Sequence, residues 1–333
     1  MIEFNINNLF FTFTIIVFIL SLIIDLLFGE LPTKIHPVVL IGKIISILSN
    51  QLIKIKNKVS GMLLLILTIA ISLFILLFIL YIILKINIIL FIILYTCILS
   101  SCFSFKLLLS SAHDIKKDLE NNIDKARSSI AHLVSRDTEK LDETLIISAT
   151  IESLSENIVD SYLAPVFYYF ISIIILNLID IDITYKLFIL ISIPIIYRVI
   201  NTLDAMVGYK NKKYSTIGYF SAKCDDLINF IPARLGGLFI VITSYILKFD
   251  YKNSFKTLLN DSSKCPSPNS GYTMASTAGA LNIQLVKEDV YVLGDDNKSI
   301  SLDDIDNSIR ISKLTMYLFT LVMLVLTIII MVV

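Results

Sequence analysis

The chain has 333 residues, of which 56% are hydrophobic and 17% charged, with a formal net charge of zero and a mean hydropathy of +0.81. This composition excludes an ordinary soluble domain and predicts an integral membrane protein. We expect no nucleic-acid partner, because phosphate binding needs a basic face and the sequence shows none. The four cysteines lack the paired spacing of a zinc site or of a secreted disulfide framework.

Six apolar runs reach or approach the roughly 20 residues that a helix needs to cross a bilayer. In chain order these are residues 9–28, 59–84, 86–102, 165–178, 183–200 and 314–333. A further run, 235–249, is short for a span and fits a re-entrant or partly buried helix. No stretch alternates steadily between apolar and polar residues, so we predict an all-α polytopic protein, helical throughout.

The polar loops 29–58, 104–164 and 201–234 emerge on one side if the runs between them cross the membrane. Lysines in the first loop predict that this side is cytoplasmic. The loop around Ser267 joins them if 235–249 does not cross. We therefore expect a single membrane domain over 1–333 in the cytoplasmic membrane, with regions 104–164 and 201–310 forming a cytoplasmic active site.

An acidic row on a predicted helix consists of Glu152, Glu156 and Asp160, spaced four residues apart. Such acids repel one another by roughly a few tenths of a kcal/mol per pair, so they are not there to stabilise the helix. A solvated face is one interpretation. The other is a surface that binds magnesium or a cationic substrate through carboxylate oxygens. On the same helix, an apolar stripe is formed by Ile147, Ile151, Leu154 and Ile158.

The 201–234 loop is dense in oxygen-bearing side chains. Asn201, Asp204, Asp225 and Asp226 can each present an oxygen to Mg²⁺. Arg234 can bind a phosphate or a carboxylate through two parallel hydrogen bonds. Any one of these residues could instead cap a helix or form a turn. Their density within one loop favours a binding site.

The word Ser267-Pro268-Asn269-Ser270-Gly271 has turn chemistry and leads into a run of small residues. A loop that feeds a helix N-terminus suits an anion, although an ordinary helix cap is the alternative. No GxxxxGK[ST] loop is present, so we do not predict a standard P-loop nucleotide site. His36 could orient a phosphate or shuttle a proton, or simply satisfy a local hydrogen bond.

Several of these sequence motifs occur together, and in this order, in one family. They are Asp25-Leu26-Leu27-Phe28-Gly29, His36-Pro37-Val38, Ser135-Arg136-Asp137-Thr138, Glu152-Ser153-Leu154-Ser155-Glu156-Asn157, Asn201-Thr202-Leu203-Asp204, Asp225-Asp226-Leu227-Ile228-Asn229, Ile231-Pro232-Ala233-Arg234 and Ser267-Pro268-Asn269-Ser270-Gly271. From about Asp25 to Gln284 the chain resembles the adenosylcobinamide-phosphate synthase (CbiB/CobD) family of cobalamin biosynthesis. Two positions depart from the family, which more often has a histidine at Cys265 and a glycine at Ser161.

The resemblance implies a ligase that joins adenosylcobyric acid to aminopropanol phosphate, or a related amino alcohol, with ATP and Mg²⁺. ATP would activate the corrin carboxylate as an acyl phosphate, which the amine then attacks. As hypotheses, Mg²⁺ binding is assigned to Asp204, Asp225 and Asp226, and catalysis to Glu152, Glu156, Asp137 and Asp226. Substrate or phosphate binding is assigned to His36, Arg136, Asn157, Asn201, Arg234, Ser267 and Asn269.

The expected partners are the corrinoid, the amino-alcohol phosphate and the lipid bilayer. A homo-oligomer and an association with later corrinoid enzymes stay open. Two other functions also stay open, a prenyltransferase of the UbiA type, which holds Mg²⁺ and a diphosphate with acid-rich loops, and a membrane transporter.

Overall fold

The computed structural model describes residues 6–55, 57–134, 136–209 and 214–332. Ser135, in one of the predicted motifs, and residue 333, in the last predicted span, lie outside these ranges. The helices in chain order are α1 (Ile6–Phe28), α2 (Pro37–Leu52), α3 (Lys58–Ile86), α4 (Ile88–Ser100), α5 (Lys106–Asn121), α6 (Ile123–Ile130), α7 (Glu143–Ile158), α8 (Ala164–Asn177), α9 (Ile183–Val207), α10 (Tyr219–Ile228), α11 (Phe230–Ile246), α12 (Tyr251–Asp261), α13 (Ser270–Leu281) and α14 (Leu302–Val332).

Many of these helices begin where the sequence supplies an asparagine or aspartate cap. The side-chain oxygen of such a residue accepts a hydrogen bond from a free N–H of the first turn. Caps of this kind start α3, α4, α6, α7, α9 and α12, at Asn57, Asn87, Asn122, Asp142, Asp182 and Asp250. A π-helical turn, Val159–Leu163, joins α7 directly to α8. The predicted helical membrane architecture is confirmed.

A small antiparallel hairpin is the exception to the predicted all-helical structure. Its strands are β1 (Leu285–Lys287) and β2 (Tyr291–Leu293), and they lie between α13 and α14. The expectation of helix throughout is therefore wrong at these residues. Strands of three residues are too short to show the alternating pattern on which strand prediction depends.

Six helical segments are long and apolar enough, by length and composition, to cross a membrane. They are Leu9–Phe28, Pro37–Ile55, Lys58–Ile86, Glu143–Asn177, Ile183–Val207 and Leu302–Met331. The predicted number is confirmed within the described ranges, but the set differs. The predicted span 86–102 becomes α4, whose 13 residues are too few for the roughly 20 that a crossing needs. Pro37–Ile55 takes its place, in a region predicted to be a polar loop.

Most of the predicted re-entrant segment, 235–249, lies in Phe230–Ile246. Together with Tyr219–Ile228 this helix passes the length and composition test as a bent pair, which fits a broken span as well as a re-entrant loop.

Because Pro37–Ile55 replaces the predicted span 86–102, the number of candidate crossings before α5 is the same as predicted. If Pro37–Ile55 crosses, the two ends of the predicted loop 29–58 lie on opposite sides, so its lysines do not mark a single side. The segment Glu143–Asn177 also includes the end of the predicted loop 104–164. The cytoplasmic placement of the remaining polar loops stays a prediction.

The chain divides into two compact units that alternate along the sequence. Unit 1 comprises Met1–Ser104, Pro165–Ile228 and Met323–Val333, and unit 2 comprises Phe105–Ala164 and Asn229–Val322. The expectation of a single membrane domain over 1–333 stays a prediction.

Aromatic side chains form much of the core of unit 1. The ring of Phe18 lies 4.7 Å from that of Phe170 and 5.9 Å from that of Phe103, measured between centroids. The hydroxyl of Tyr169 donates a hydrogen bond to the carbonyl of Thr14 at 2.9 Å. These contacts join α1 to α8 and to the segment that follows α4.

The core of unit 2 is built around α7 and α13. Ile147, Ile151 and Leu154 of the predicted stripe are buried together with small and apolar residues of α13, and Ile158 is buried as well. The other sides of α7 are also buried between Ile146 and Ser155, so the stripe is not a separate buried face. A β-carbon at Gly279 of α13 would collide with the carbonyl oxygen of Asn253 on α12. The small-residue run therefore lets α12 and α13 pack closely, and it places the start of α13 beside the polar residues of α7.

Candidate active site

Glu152 is the centre of a buried polar cluster in unit 2. Only 4% of the residue is exposed. Its carboxylate accepts hydrogen bonds from the Ser148 hydroxyl at 2.7 Å, the Tyr291 hydroxyl at 2.9 Å and Nη2 of Arg136 at 3.2 Å. A buried charge is tolerated only when it is paired and hydrogen-bonded, as this one is. The interpretation of a solvated face is therefore wrong for Glu152.

The hairpin ties the same cluster together through its backbone. Nη1 of Arg136 donates to the carbonyl of Val286 at 3.3 Å. The backbone N–H of Val286 donates to the Ser148 hydroxyl oxygen at 3.0 Å. Both Nη atoms of Arg136 are thus bound to protein acceptors. Arg136, which was predicted to bind phosphate, instead binds the carboxylate of Glu152 in this structure.

Sequence reasoning missed Ser148 and Tyr291, which complete the cluster. Ser148 lies one helical turn before Glu152, so the spacing could have suggested a contact between them. Tyr291 is 139 residues away in the chain, and its position relative to Glu152 has no local signal. Burial raises the pKa of Tyr291 well above its usual range, and the neighbouring Glu152 acts in the same direction. The tyrosine is therefore a neutral hydrogen-bond donor.

Glu156 lies one turn beyond Glu152 and has a different environment. Its side chain is exposed, and no hydrogen bond to its carboxylate is found in the described part of the chain. Asp160, Lys287 and Glu152 lie close enough to act on its charge. The acidic row therefore separates into a fixed member, Glu152, and an accessible one, Glu156. An accessible carboxylate can accept a proton or bind an ammonium group.

Arg234 and the Ser267–Asn269 loop come together in unit 2. The guanidinium carbon of Arg234 lies 3.3 Å from the ring centroid of Phe230 and 4.3 Å from that of Tyr272. Nη1 donates to the carbonyl of Phe230 at 2.7 Å and to Oδ1 of Asn269 at 3.3 Å. The N–H of Asn269 donates to the hydroxyl oxygen of Ser267 at 3.2 Å. This packing fixes the guanidinium at the start of α13, where backbone N–H groups favour an anion.

Cys265 links this loop to the carboxylates. The thiol is buried, and burial raises its pKa to about 11, so it is neutral at ordinary pH. Glu156, Glu152 and Lys287 all lie near enough to influence it. The loop before α13, the α7 carboxylates and the hairpin therefore surround one region of unit 2.

Asn157 and Asp137 make local contacts. Nδ2 of Asn157 donates to the carbonyl of Ser153, one turn earlier, at 2.9 Å. Oδ1 of Asp137 accepts from the N–H of Glu139 at 3.0 Å, and its side chain is exposed. These are the contacts of a helical back-bond and an Asx turn. The binding role predicted for Asn157 and the catalytic role predicted for Asp137 stay predictions.

A second polar group lies in unit 1, on α9 and α10. Nδ2 of Asn201 donates to Oδ1 of Asp225 at 3.4 Å, and Nη1 of Arg198 donates to Oδ1 of Asn201 at 3.5 Å. Asp226 forms an ion pair with Lys223 at 3.3 Å. These distances are near the outer limit for hydrogen bonds, so the contacts are weak.

Asp204 lies one turn along α9 from Asn201. A β-carbon at Gly208 would collide with Oδ1 of Asp204, so the glycine makes room for this carboxylate. Among the described residues, no three His, Cys, Asp or Glu side chains form a group that could hold a metal ion by themselves. A magnesium ion bound here would need water or substrate oxygens in addition to protein carboxylates.

His36 caps α2 through one ring nitrogen. Its Nδ1 accepts from the N–H of Val38 at 3.2 Å. Nε2 is buried, lies 4.0 Å from Glu30, and has no hydrogen-bond partner among the described residues. Burial lowers the pKa of His36; Glu30 opposes this effect, and Arg198 adds to it. The alternative of a local hydrogen bond therefore holds for Nδ1, and the phosphate-binding role of His36 stays a prediction.

Known proteins resemble this chain over nearly its whole length. The family described as CobD/Cbib protein matches residues 18–319. "Probable cobalamin biosynthesis protein CobD" from Methanothermobacter thermautotrophicus is 39% identical over 307 residues, which cover 92% of this chain and 95% of the relative. The protein of the same description from Methanocaldococcus jannaschii is 37% identical and covers 84% of this chain and 88% of its own.

A bacterial relative agrees with the archaeal ones. "Cobalamin biosynthesis protein CobD" from Dehalococcoides mccartyi is 35% identical over 288 residues, which cover 85% of this chain and 87% of the relative. No solved structure matches the chain. The chain therefore belongs to the CobD/CbiB family of cobalamin biosynthesis proteins.

Proposed function

We propose that the protein is an adenosylcobinamide-phosphate synthase. It forms an amide between adenosylcobyric acid and aminopropanol phosphate, or a related amino alcohol, using ATP. The observation that carries the proposal is the accessible carboxylate of Glu156, one turn from the buried and hydrogen-bonded Glu152. Membership of the family places the protein in cobalamin biosynthesis. Glu156 offers a base, and Glu152 is a hydrogen-bonded carboxylate one turn away.

The reaction has two steps in this proposal. A carboxylate oxygen of the corrinoid attacks the γ-phosphorus of ATP, the bond to ADP breaks, and an acyl phosphate forms. The amine then attacks the acyl carbon and displaces inorganic phosphate. The amine must lose a proton to become a nucleophile, and Glu156 accepts it. A positioned carboxylate of this kind contributes about 10²- to 10⁴-fold in rate.

Arg234 and the start of α13 bind the phosphate groups in this proposal. The guanidinium is held between Phe230 and Tyr272, so little side-chain freedom is lost when an anion binds. The backbone at the start of α13 adds N–H donors. Arg136 has the different role of positioning Glu152, because its Nη atoms are engaged by Glu152 and Val286.

Magnesium would be held in unit 1 by one or two carboxylates of the set Asp204, Asp225 and Asp226, because no three described side chains of this kind form a metal-binding group. Asn201 lies beside Asp225, at 3.4 Å. The donor set fits this ion, which commonly binds one or two carboxylates and keeps water and phosphate oxygens as its other ligands. When bound, it would neutralise negative charge on the oxygens that complete its coordination.

The protein is a multi-pass membrane protein, and we place its chemistry on the cytoplasmic side. Its proposed partners are the corrinoid, the amino-alcohol phosphate and the bilayer. Homo-oligomers and complexes with later corrinoid enzymes belong to the same proposal and can be measured by the mass of the detergent-solubilised protein.

Turnover of the purified, detergent-solubilised full chain tests the proposal. The protein is incubated with adenosylcobyric acid, aminopropanol phosphate, ATP and Mg²⁺, and the corrinoid mass and ADP are followed. We expect a corrinoid mass gain that matches one new amide and an equal amount of ADP. Omitting each substrate in turn is the control. Folded protein that gives no mass gain with any amino alcohol tried would overturn the proposal.

A further inference from the structure

The hairpin points a lysine toward the site. Lys287 pairs in register with Tyr291, so both side chains lie on the same face of the two strands. Leu285 and Leu293 belong to this face as well, and both are completely buried in the core of unit 2. The face therefore packs against the protein. A lysine there is not explained by solubility, because solubility lysines project from the solvent side of an edge strand.

Lys287 lies among the carboxylates that the proposed reaction uses. Its charge acts on Glu156 and on Cys265. Its Nζ lies 5.9 Å from the ring centroid of Tyr291, whose hydroxyl binds Glu152. Glu152 is already satisfied by its three donors. Glu156 is the accessible partner of opposite charge.

The charges of Lys287 and Glu156 act on each other. The ion pairs found in the described part of the chain do not include this pair. Opposite charges that are near and unpaired leave room for a ligand that carries both signs. An amino-alcohol phosphate is such a ligand, since it has an ammonium group at one end and a phosphate at the other. The Glu156 carboxylate complements the first and the Lys287 ammonium complements the second.

We propose that Lys287 and Glu156 together bind the amino-alcohol phosphate as a zwitterion, and that Lys287 is the residue that selects the phosphorylated substrate. This inference rests on the proposed function and assigns a substrate to one part of its site. Glu156 binds the ammonium group and then accepts its proton. The hairpin positions both halves of the arrangement, because Tyr291 holds Glu152 while its strand partner, Lys287, holds the phosphate.

Binding and turnover of a charge-removing variant test the inference. Aminopropanol phosphate and unphosphorylated aminopropanol are each titrated calorimetrically into the full chain, its Lys287→Met variant and its Lys287→Arg variant. Loss of a hydrogen bond to a charged group costs about 10- to 100-fold in affinity. We expect Lys287→Met to weaken binding of the phosphorylated compound by that factor, to raise its KM equally, and to affect binding of unphosphorylated aminopropanol much less. Lys287→Arg should restore most of the affinity.

Lys256→Met is the matched control, because Lys256 is an exposed lysine of the same unit that pairs with Asp295. It should bind both compounds like the unaltered protein. Thermal unfolding identifies any variant that does not fold, and Lys287→Gln replaces Lys287→Met in that case. If the unaltered protein makes the amide and removal of Lys287 leaves selectivity within twofold, the inference fails and the proposed function stands. If the unaltered protein forms no amide and binds neither compound, both fail.

Discussion

The two units differ in the length of the hydrogen bonds that join two pairs of their polar residues. In unit 2, Glu152 receives hydrogen bonds from α7, from β2 and from the segment before α7, at 2.7 to 3.2 Å. In unit 1, Asn201 and Asp225 are half-buried and touch at 3.4 Å. Short bonds around a buried charge predict a site that is formed before any ligand arrives. A contact as long as that between Asn201 and Asp225 adds little by itself to the positioning of either side chain.

The largest expected effect comes from removing the charge at the centre of unit 2. Glu152→Gln leaves Arg136 without its anionic partner in a mostly buried position. Breaking a buried pair from one side costs about 3–5 kcal/mol of unfolding free energy. Thermal unfolding in detergent should show a large fall, with loss of turnover. Glu143→Gln, at the exposed first turn of the same helix, is the control and should behave like the unaltered protein.

Glu156→Gln separates chemistry from folding within the same helix. Because Glu156 is exposed and its acidic neighbours repel its charge, the unfolding temperature should stay the same or rise slightly. The rate should fall by about 10²-fold or more, since the proposed base is lost. Single-turnover amide formation measures the effect. A variant as fast as the unaltered protein would remove Glu156 from the mechanism and leave Glu152 as the important member of the row.

Substitutions in the polar group of unit 1 should change the magnesium requirement of the reaction. Asp225→Asn is expected to raise the Mg²⁺ concentration for half-maximal activity by about 10-fold, an effect typical of altered metal-site residues. Asp226→Asn should act in the same direction, by less, because Lys223 already partners this carboxylate. Asp180→Asn, at an exposed position of unit 1, is the control. An unchanged magnesium requirement in both variants would contradict the assignment of the metal to unit 1.

The smallest expected effect is a change in the unfolding temperature when Asp118 of α5 is replaced. Asp118 accepts from Lys125 and Ser129, each at 2.6 Å, and these bonds lower the pKa of its carboxyl group below the usual 3.8. A lowered pKa stabilises the folded state above pH 3.8, and this contribution is lost as the pH falls through the folded-state value. Asp118→Asn should therefore melt slightly below the unaltered protein at pH 7, with normal turnover, and the difference should shrink as the pH falls below 3.8.

Much of the fold was predictable because it depends on local patterns. Runs of aliphatic residues are long enough to identify most of the spans, and the 4, 3 and 4 spacing on α7 identifies four residues that are buried. It did not show that the other sides of this helix are buried between Ile146 and Ser155. Pro37–Ile55 was missed because Lys43, Ser46, Ser49 and Asn50 interrupt its aliphatic residues. The segment 86–102 was overestimated because composition alone did not show that its helix ends at Ser100.

The sequence by itself determined the membrane class, the family and the residue types of the candidate site. The polar sequence motifs could not show which of their residues face the protein interior. Only the tertiary structure separated Glu152 from Glu156, because that difference depends on Tyr291 and on a hairpin more than 130 residues away. It also decided that Lys287 faces the carboxylates, since the facing of a short strand is set by the surface against which it packs.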